Sequence, residues 1–246
     1  MAESQAGLSA LEIRRLETLD EFEATLRLQE LIWGFDPSDM VASRLFGVFS
    51  RIGGSSLGAF LHGELVGYTL AFAAFKPDLQ AYWHSHMAGV DPGFHNLGIG
   101  LRLKLRQRDE ALAAGLDRIE WTFDPLQARN AYFNIEKLGT AIEAYIPNFY
   151  GITSSKLHGS LPTDRLVAAW HLKSRAVAER KAGRRSTQKH FAMRIEVPSR
   201  IGEVARPEAI RIQNRVRGQF RIAFEEGLRV VAFERGSTRG AYLLDQ

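Results

Sequence analysis

The sequence predicts a mixed α/β fold, a strand meander followed by one strand–helix–strand crossover, with a smaller α/β extension at the C-terminus. Three observations carry this. Runs 56–61 and 65–75 alternate in strand fashion around a short turn, His62-Gly63-Glu64, and read as a hairpin. A helical stripe of Leu101, Leu105, Leu112 and Leu116 separates the strand-like runs 82–90 and 118–123. Crossovers of that kind are right-handed, so the two runs become parallel neighbours with helix 98–115 over one face.

The elements follow in order. Residues 12–19 form an edge strand with Ile13, Leu16 and Leu19 apolar. Asp20 with Glu23 three residues later has capping-box spacing, and Phe22, Leu26, Leu28, Leu31 and Ile32 supply the apolar face of a helix stopped by Gly34. Pro37-Ser38-Asp39 opens a second helix that closes at Gly53-Gly54. After the hairpin, strand 82–90 is cut by Asp91-Pro92 and strand 118–123 by Asp124-Pro125. Helix 130–138 ends at Gly139, and strands 142–150 and 166–172 follow. The polar stretch 175–187 reads as a linker or exposed helix, and 193–197, 207–226 and 228–234 read as strand, helix, strand.

Composition narrows the function. The chain has 246 residues and no cysteine, which excludes disulfide scaffolds, cysteine-ligated metals and thiol nucleophiles. No run approaches 18 apolar residues and the first residues carry no secretory pattern, so a cytoplasmic protein away from membranes is expected. Residues 1–172 carry 15 Lys+Arg against 20 Asp+Glu, whereas 173–246 carry 17 against 8. Such a basic tail serves nucleic acid, an anionic partner or a solvated surface. Without interleaved aromatics or a reading module, no nucleic-acid partner is expected.

Chemistry concentrates in 90–112. A strand ends, and Gly93, Gly98 and Gly100 surround the start of a helix. Backbone N–H groups and the helix dipole there suit a phosphate, although the segment is neither a Walker A loop nor a dinucleotide motif. Strand 118–123 places Glu120, Thr122 and Asp124 on one side and Trp121 and Phe123 on the other, and strand 82–90 puts His84 and His86 on one face. Polar faces on central strands point to function, so Glu120, Asp124, His84 and His86 are candidates for binding substrate or deprotonating an ammonium. Hydrogen-bonded core polars give the same pattern. Trp33, Trp83 and Trp170 read as core aromatics, while Tyr132, Tyr145 and Tyr150 are either proton donors or buried hydroxyls.

The six residues His95-Asn96-Leu97-Gly98-Ile99-Gly100 resemble the acyl-CoA pyrophosphate loop of the GNAT N-acyltransferase superfamily, Gln/Arg-x-x-Gly-x-Gly/Ala. Val90-Asp91-Pro92 is similar to its Val-x-Pro after the fourth strand, and Lys137-Leu138-Gly139 to the close of its fourth helix. The resemblance covers roughly residues 12–172. Within it, 121–139 and 162–172 resemble a branch of predicted acetyltransferases. It implies a GNAT-like mixed sheet with a central splayed parallel strand pair and helices on both faces. It also implies an acyltransferase domain over 1–172 and a basic C-terminal extension over 173–246. By the same resemblance, acetyl-CoA or another acyl-CoA, such as succinyl-CoA, is co-substrate without a metal, and the acceptor is the primary amine of a small molecule or amino acid. A homodimer is compatible with this reading.

Residue by residue, the resemblance implies that Ala88, Gly89 and Val90 offer backbone groups to the pantetheine and thioester, an oxyanion-hole role. His95, Asn96, Leu97, Gly98, Ile99 and Gly100 line the pyrophosphate turn, and Asn130 and Asn134 touch the pantetheine arm. Two departures stand out. His95 replaces Gln or Arg, and Ile135 occupies the place of the family's usual acid tyrosine. Tyr132, one turn earlier, is the remaining acid on that helix. The expected catalytic set is therefore Asp124, Glu120, His86 and Tyr132, acting by direct attack in a ternary complex. A CoA- or anion-binding module without turnover is the alternative.

Overall fold

The computed structural model describes residues 10–156, 161–184 and 190–246. The fold is mixed α/β, its larger sheet mostly antiparallel with a parallel pair, accompanied by a three-stranded sheet near the C-terminus. Two compact units divide the chain: Met1–Ile119 with Ser154–Lys156, and Glu120–Thr153 with Leu157–Gln246. The division falls inside strand β5 (Arg118–Phe123). Among the described residues no helix is long and apolar enough to cross a membrane.

The first unit begins with β1 (Leu11–Arg15), α1 (Leu19–Trp33) and α2 (Arg44–Arg51). Its strands β2 (Ser55–Leu61), β3 (Glu64–Phe75) and β4 (Ala81–Val90) continue from β1 as an antiparallel meander, ordered β1-β2-β3-β4. Leu61 pairs with Glu64 across His62 (φ 52°) and Gly63 (φ 84°), the left-handed pair that matches strand twist in a two-residue hairpin. One face of the meander packs on α1 and α2 through Leu28, Phe46, Tyr68, Leu70 and Met87. Leu57, Ala59 and Val66 on the other meet Ile99 and Leu103 of α3 (Ile99–Ala113).

Several expected boundaries move. The capping box belongs to Thr18 and Glu21, not to Asp20 and Glu23: Thr18 Oγ1 accepts from Glu21 N (3.3 Å) and Glu21 Oε2 from Thr18 N (3.3 Å). Arg14 fixes that register by gripping Glu21 Oε1 at 2.7 Å. The second helix starts at Arg44 rather than Pro37, because Asp36 N donates to Ser154 Oγ and Asp39 Oδ2 accepts from Ser154, which commits that stretch to a loop. The buried face of α3 is Ile99, Leu103, Lys104, Gln107 and Ala111. The leucine stripe expected there lies half-buried beside it. A helix with Leu at 101, 103 and 105 offers two seams, and packing on β2 and β3 selects the one through Leu103.

In the second unit β5, β7 (Arg165–His171) and β6 (Ala141–Ile146) lie in that order. The expected helix over 130–138 is α4 (Ala128–Tyr132) followed by a π-helical turn (Phe133–Leu138). The wider turn brings Asn134, Ile135, Glu136 and Leu138 inward, where Trp121, Phe233 and Trp170 hydrogen-bond Asn134, Glu136 and Leu138. Strand β6 ends at Ile146 instead of Tyr150, since Pro147 cannot donate to a ladder. Helix α5 (Arg175–Lys181) takes up the expected linker, of which 185–187 lie outside the described residues. Beyond it come β8 (Met193–Pro198), α6 (Arg206–Glu225) and β9 (Arg229–Arg235). A further strand, β10 (Arg239–Asp245), is the centre of the sheet β8-β10-β9. Tyr242 of β10 is fully buried against Phe220 and Phe233, with ring centroids 5.1 and 4.8 Å away.

Candidate active site

In the first unit the residues expected to hold the acyl-CoA follow one another along β4 and the turn into α3. Gly89 is a glycine because a Cβ there would meet Ile32 Cδ1 and Trp33 Cη2 at 2.7 Å. After Val90, Asp91 Oδ1 accepts from Gly93 N (2.8 Å), and His95 N donates to Pro92 O (3.2 Å). Asn96 (φ 66°) and Gly98 (φ 79°) both adopt the left-handed conformation that asparagine and glycine tolerate. The first helical bond of α3 runs from Arg102 N to Gly98 O. The N–H groups of Ile99, Gly100 and Leu101 therefore have no intrahelical acceptor and emerge at the positive end of the helix dipole.

The turn is open. A Cβ on Gly98 would meet nothing within 4 Å, and one on Gly100 only Val90 Cγ2 at 3.7 Å. No acidic side chain stands in the first turn of α3. His95 folds back, its ring Nε2 3.0 Å from Val90 O, so the imidazole grips the end of β4.

His86 has a feature that composition does not reveal. Leu70 pairs with Met87 but Ala71 with Ser85, so His86 is the extra residue of a β-bulge. Bulges re-aim side chains and are over-represented beside active sites. The rings of His84 and His86 gather on Phe72, at 5.1 and 5.8 Å. His86 remains solvent-accessible, yet partial desolvation pulls its pKa below the ordinary imidazole value.

In the second unit Glu120 is buried (5% exposed), and Thr122 and Asp124 are half-buried. The polar side of β5 is thus buried at Glu120 and partly open at Thr122 and Asp124. Asp124 Oδ1 accepts from Leu126 N (2.8 Å), an Asx-type turn that fixes the carboxylate at the end of the strand. Burial pushes Asp124 up to about 6, against the lowering pull of the Leu126 N–H and Arg165, while Asp164 adds to the rise. Thr122 Oγ1 lies 3.2 Å from Tyr150 OH.

The remaining expected residues separate. Asn134 is buried and its Oδ1 accepts from Trp121 Nε1 (3.3 Å), whereas Asn130 is exposed. The Tyr132 ring is half-buried with Arg235 Cζ at 5.4 Å and Lys137 Nζ at 6.0 Å from its centroid. Tyr145 donates to Asp164 Oδ2 at 2.5 Å, and burial with that bond raises its pKa far beyond the usual phenol range. It is thereby removed as an acid. Asp164, Arg165, Lys104 and the π-helical turn are not among the residues the sequence marks out. Asp164 and Arg165 sit at a strand entrance that reads as an ordinary polar turn.

This is the fold of the GNAT N-acyltransferases. A GNAT-family acetyltransferase from Streptococcus pneumoniae is 19% identical with a TM-score of 0.53, over 65% of this chain and 98% of that one. The ribosomal-protein-S18-alanine N-acetyltransferase from Escherichia coli is 16% identical with a TM-score of 0.52, over 67% and 95%. Arabidopsis thaliana Naa50, solved with the bisubstrate analogue CoA-Ac-MVNAL, is 15% identical with a TM-score of 0.51, over 65% and 97%. No protein-family model matches the sequence, and no curated protein matches it. Identities this low establish a shared fold, and activity has to be argued from the site.

Proposed function

We propose that the chain is an acyl-CoA-dependent N-acyltransferase, with its acyltransferase domain over 1–172 and a basic extension over 173–246. The observation that carries the reading is the open turn His95–Gly100 at the head of α3 on a GNAT fold. Acetyl-CoA, or another acyl-CoA such as succinyl-CoA, is the donor. Backbone N–H groups of the turn hold its pyrophosphate, and side-chain-free Gly98 and Gly100 leave the room that a phosphate needs. Ala88, Gly89 and Val90 present strand backbone to the pantetheine and the thioester carbonyl. A cytoplasmic location goes with this reading.

The acceptor is a primary amine of a small molecule or amino acid, and it must lose a proton before it can attack. Asp124, ionised above about pH 6, takes that proton directly or through water. Glu120 and the neutral His86 imidazole are the further bases. The amine nitrogen forms the new C–N bond and gives up its second proton, the C–S bond breaks, and CoA leaves as a thiolate that takes up a proton from that nitrogen or from water. A thiol pKa of about 8.5 makes that departure tolerable without a strong acid. Tyr132 is the acid candidate and ranks below the carboxylates. The second reading, a CoA-binding module without turnover, draws on Ile135, buried (4% exposed) where the family's acid tyrosine stands.

The test is a thermal-shift screen over acyl-CoAs, then amines with release of free CoA thiol as readout. Asp124→Asn and Glu120→Gln are expected to lower turnover at least about tenfold with acyl-CoA binding intact, and Tyr132→Phe to cost less. Acyl-CoA binding without thiol release for any amine supports the module instead.

A further inference from the structure

We propose that Arg217 and Tyr242, both from the C-terminal basic segment, are positioning residues for Asp124, so that this segment is a working part of the candidate catalytic centre. The inference rests on the proposed role of Asp124 and concerns groups within the second unit alone.

Two chains of contact carry it. Tyr242, fully buried on β10, donates to Pro125 O at 2.8 Å. Pro125 belongs to the turn in which Leu126 N donates to Asp124 Oδ1 and Gln127 N to Asp124 O (3.1 Å). The turn that presents Asp124 is therefore clamped from outside by a strand more than a hundred residues later. The second chain runs through Asp164, 1% exposed at the entrance of β7. Arg217 on α6 grips it with two parallel bonds, Nε to Oδ2 at 2.9 Å and Nη2 to Oδ1 at 2.8 Å. Tyr145 OH and Asn148 N (2.9 Å) complete the set of donors. The next residue, Arg165, is itself buried (8% exposed) and is the cation that acts on both Asp164 and Asp124.

The groups facing Asp124 are thus Asp164 and Arg165 from the β7 end, Tyr242 from β10, and Gln127 from its own turn. Two carboxylates and two guanidinium groups balance only while Arg217 neutralises Asp164. Without Arg217, the Asp164 charge competes for Arg165 and bears on Asp124, which resists ionising. A bidentate guanidinium on a buried carboxylate also fixes geometry, which a point charge does less well.

The experiment follows the Asp124 carboxyl itself by carbon-13 NMR, its resonance assigned by loss in Asp124→Asn, together with the pH profile of kcat/KM. The Arg217 side chain is 36% exposed, so Arg217→Gln leaves no buried void. Its Asp124 midpoint should rise by at least about half a pH unit, and Arg217→Lys, which keeps the charge, should return it most of the way. Tyr242→Phe should lower kcat with the KM for acyl-CoA unchanged. An unmoved midpoint in Arg217→Gln, or one that Arg217→Lys fails to restore, overturns the inference whatever the activity does. A midpoint that moves while Asp124→Asn keeps full activity leaves the positioning intact and removes Asp124 as the base.

Discussion

Lys104 sits 3% exposed on α3, its Nζ donating to Gln107 Oε1 (2.8 Å) and Ser85 Oγ (3.0 Å). Burial pulls its pKa from 10.5 down to about 7. Between those values the unfolded chain holds a proton that the folded chain has lost. Stability therefore rises with pH across that window, at up to about 1.4 kcal/mol per pH unit from this group. Lys104→Met should abolish that slope and raise stability at pH 7. Urea unfolding of both proteins at pH 7 and 9 checks it, and parallel slopes would contradict it. Nothing in the sequence marks this lysine, flanked by Leu103 and Leu105 in a charged helix. Asp124, in contrast, was legible, because it continues the polar face of Glu120 and Thr122 on a strand expected to be apolar on both sides.

Among elements, the strands were the most readable. Glycine, asparagine and Asp-Pro punctuation is a local signal, and local signals placed the hairpin, β4, β5 and the turn into α3. The helix starts show where such signals fail. Thr18/Glu21 and Asp20/Glu23 have equal capping-box spacing, and only the Arg14–Glu21 ion pair at 2.7 Å separates them. Thr18→Ala should cost about 1 kcal/mol, whereas Asp20→Ala should cost only a few tenths. Thermal unfolding of the two variants decides, and the reverse order would restore the rejected box. The bulge at His86 and the π-helical turn left no trace in the sequence. Each adds a residue without altering the alternation of residue types.

On the scale of the molecule, the strand and helix order that led to the fold was present in the sequence, while the couplings that complete the candidate site were not. Asp164 and Arg217 lie 53 residues apart, and Pro125 and Tyr242 117 apart. Pairings that distant leave no periodicity to read. The basic C-terminal segment also looks different once folded. Arg194, Arg200, Arg211, Arg217 and Arg239 all pair with carboxylates, which leaves less free charge than the count of 17 against 8 suggests.

If acyl-CoA binds at the head of α3, a bulky side chain at Gly100 must block it, and Gly100→Leu is the variant to measure. Gly98 is left-handed, so any side chain there strains the backbone, but Gly100 is helical and a Cβ on it would make only an ordinary contact, with Val90 Cγ2 at 3.7 Å. The variant should fold, and its side chain should occupy the space assigned to the pyrophosphate. Titration calorimetry with acetyl-CoA, run with thermal unfolding of both proteins, is the measurement. The wild type should bind, with stabilisation of about 2.7 kcal/mol at 100 times Kd, and Gly100→Leu should show a Kd at least about tenfold weaker at unchanged unliganded stability. Equal affinity in a folded Gly100→Leu protein would contradict binding at the head of α3.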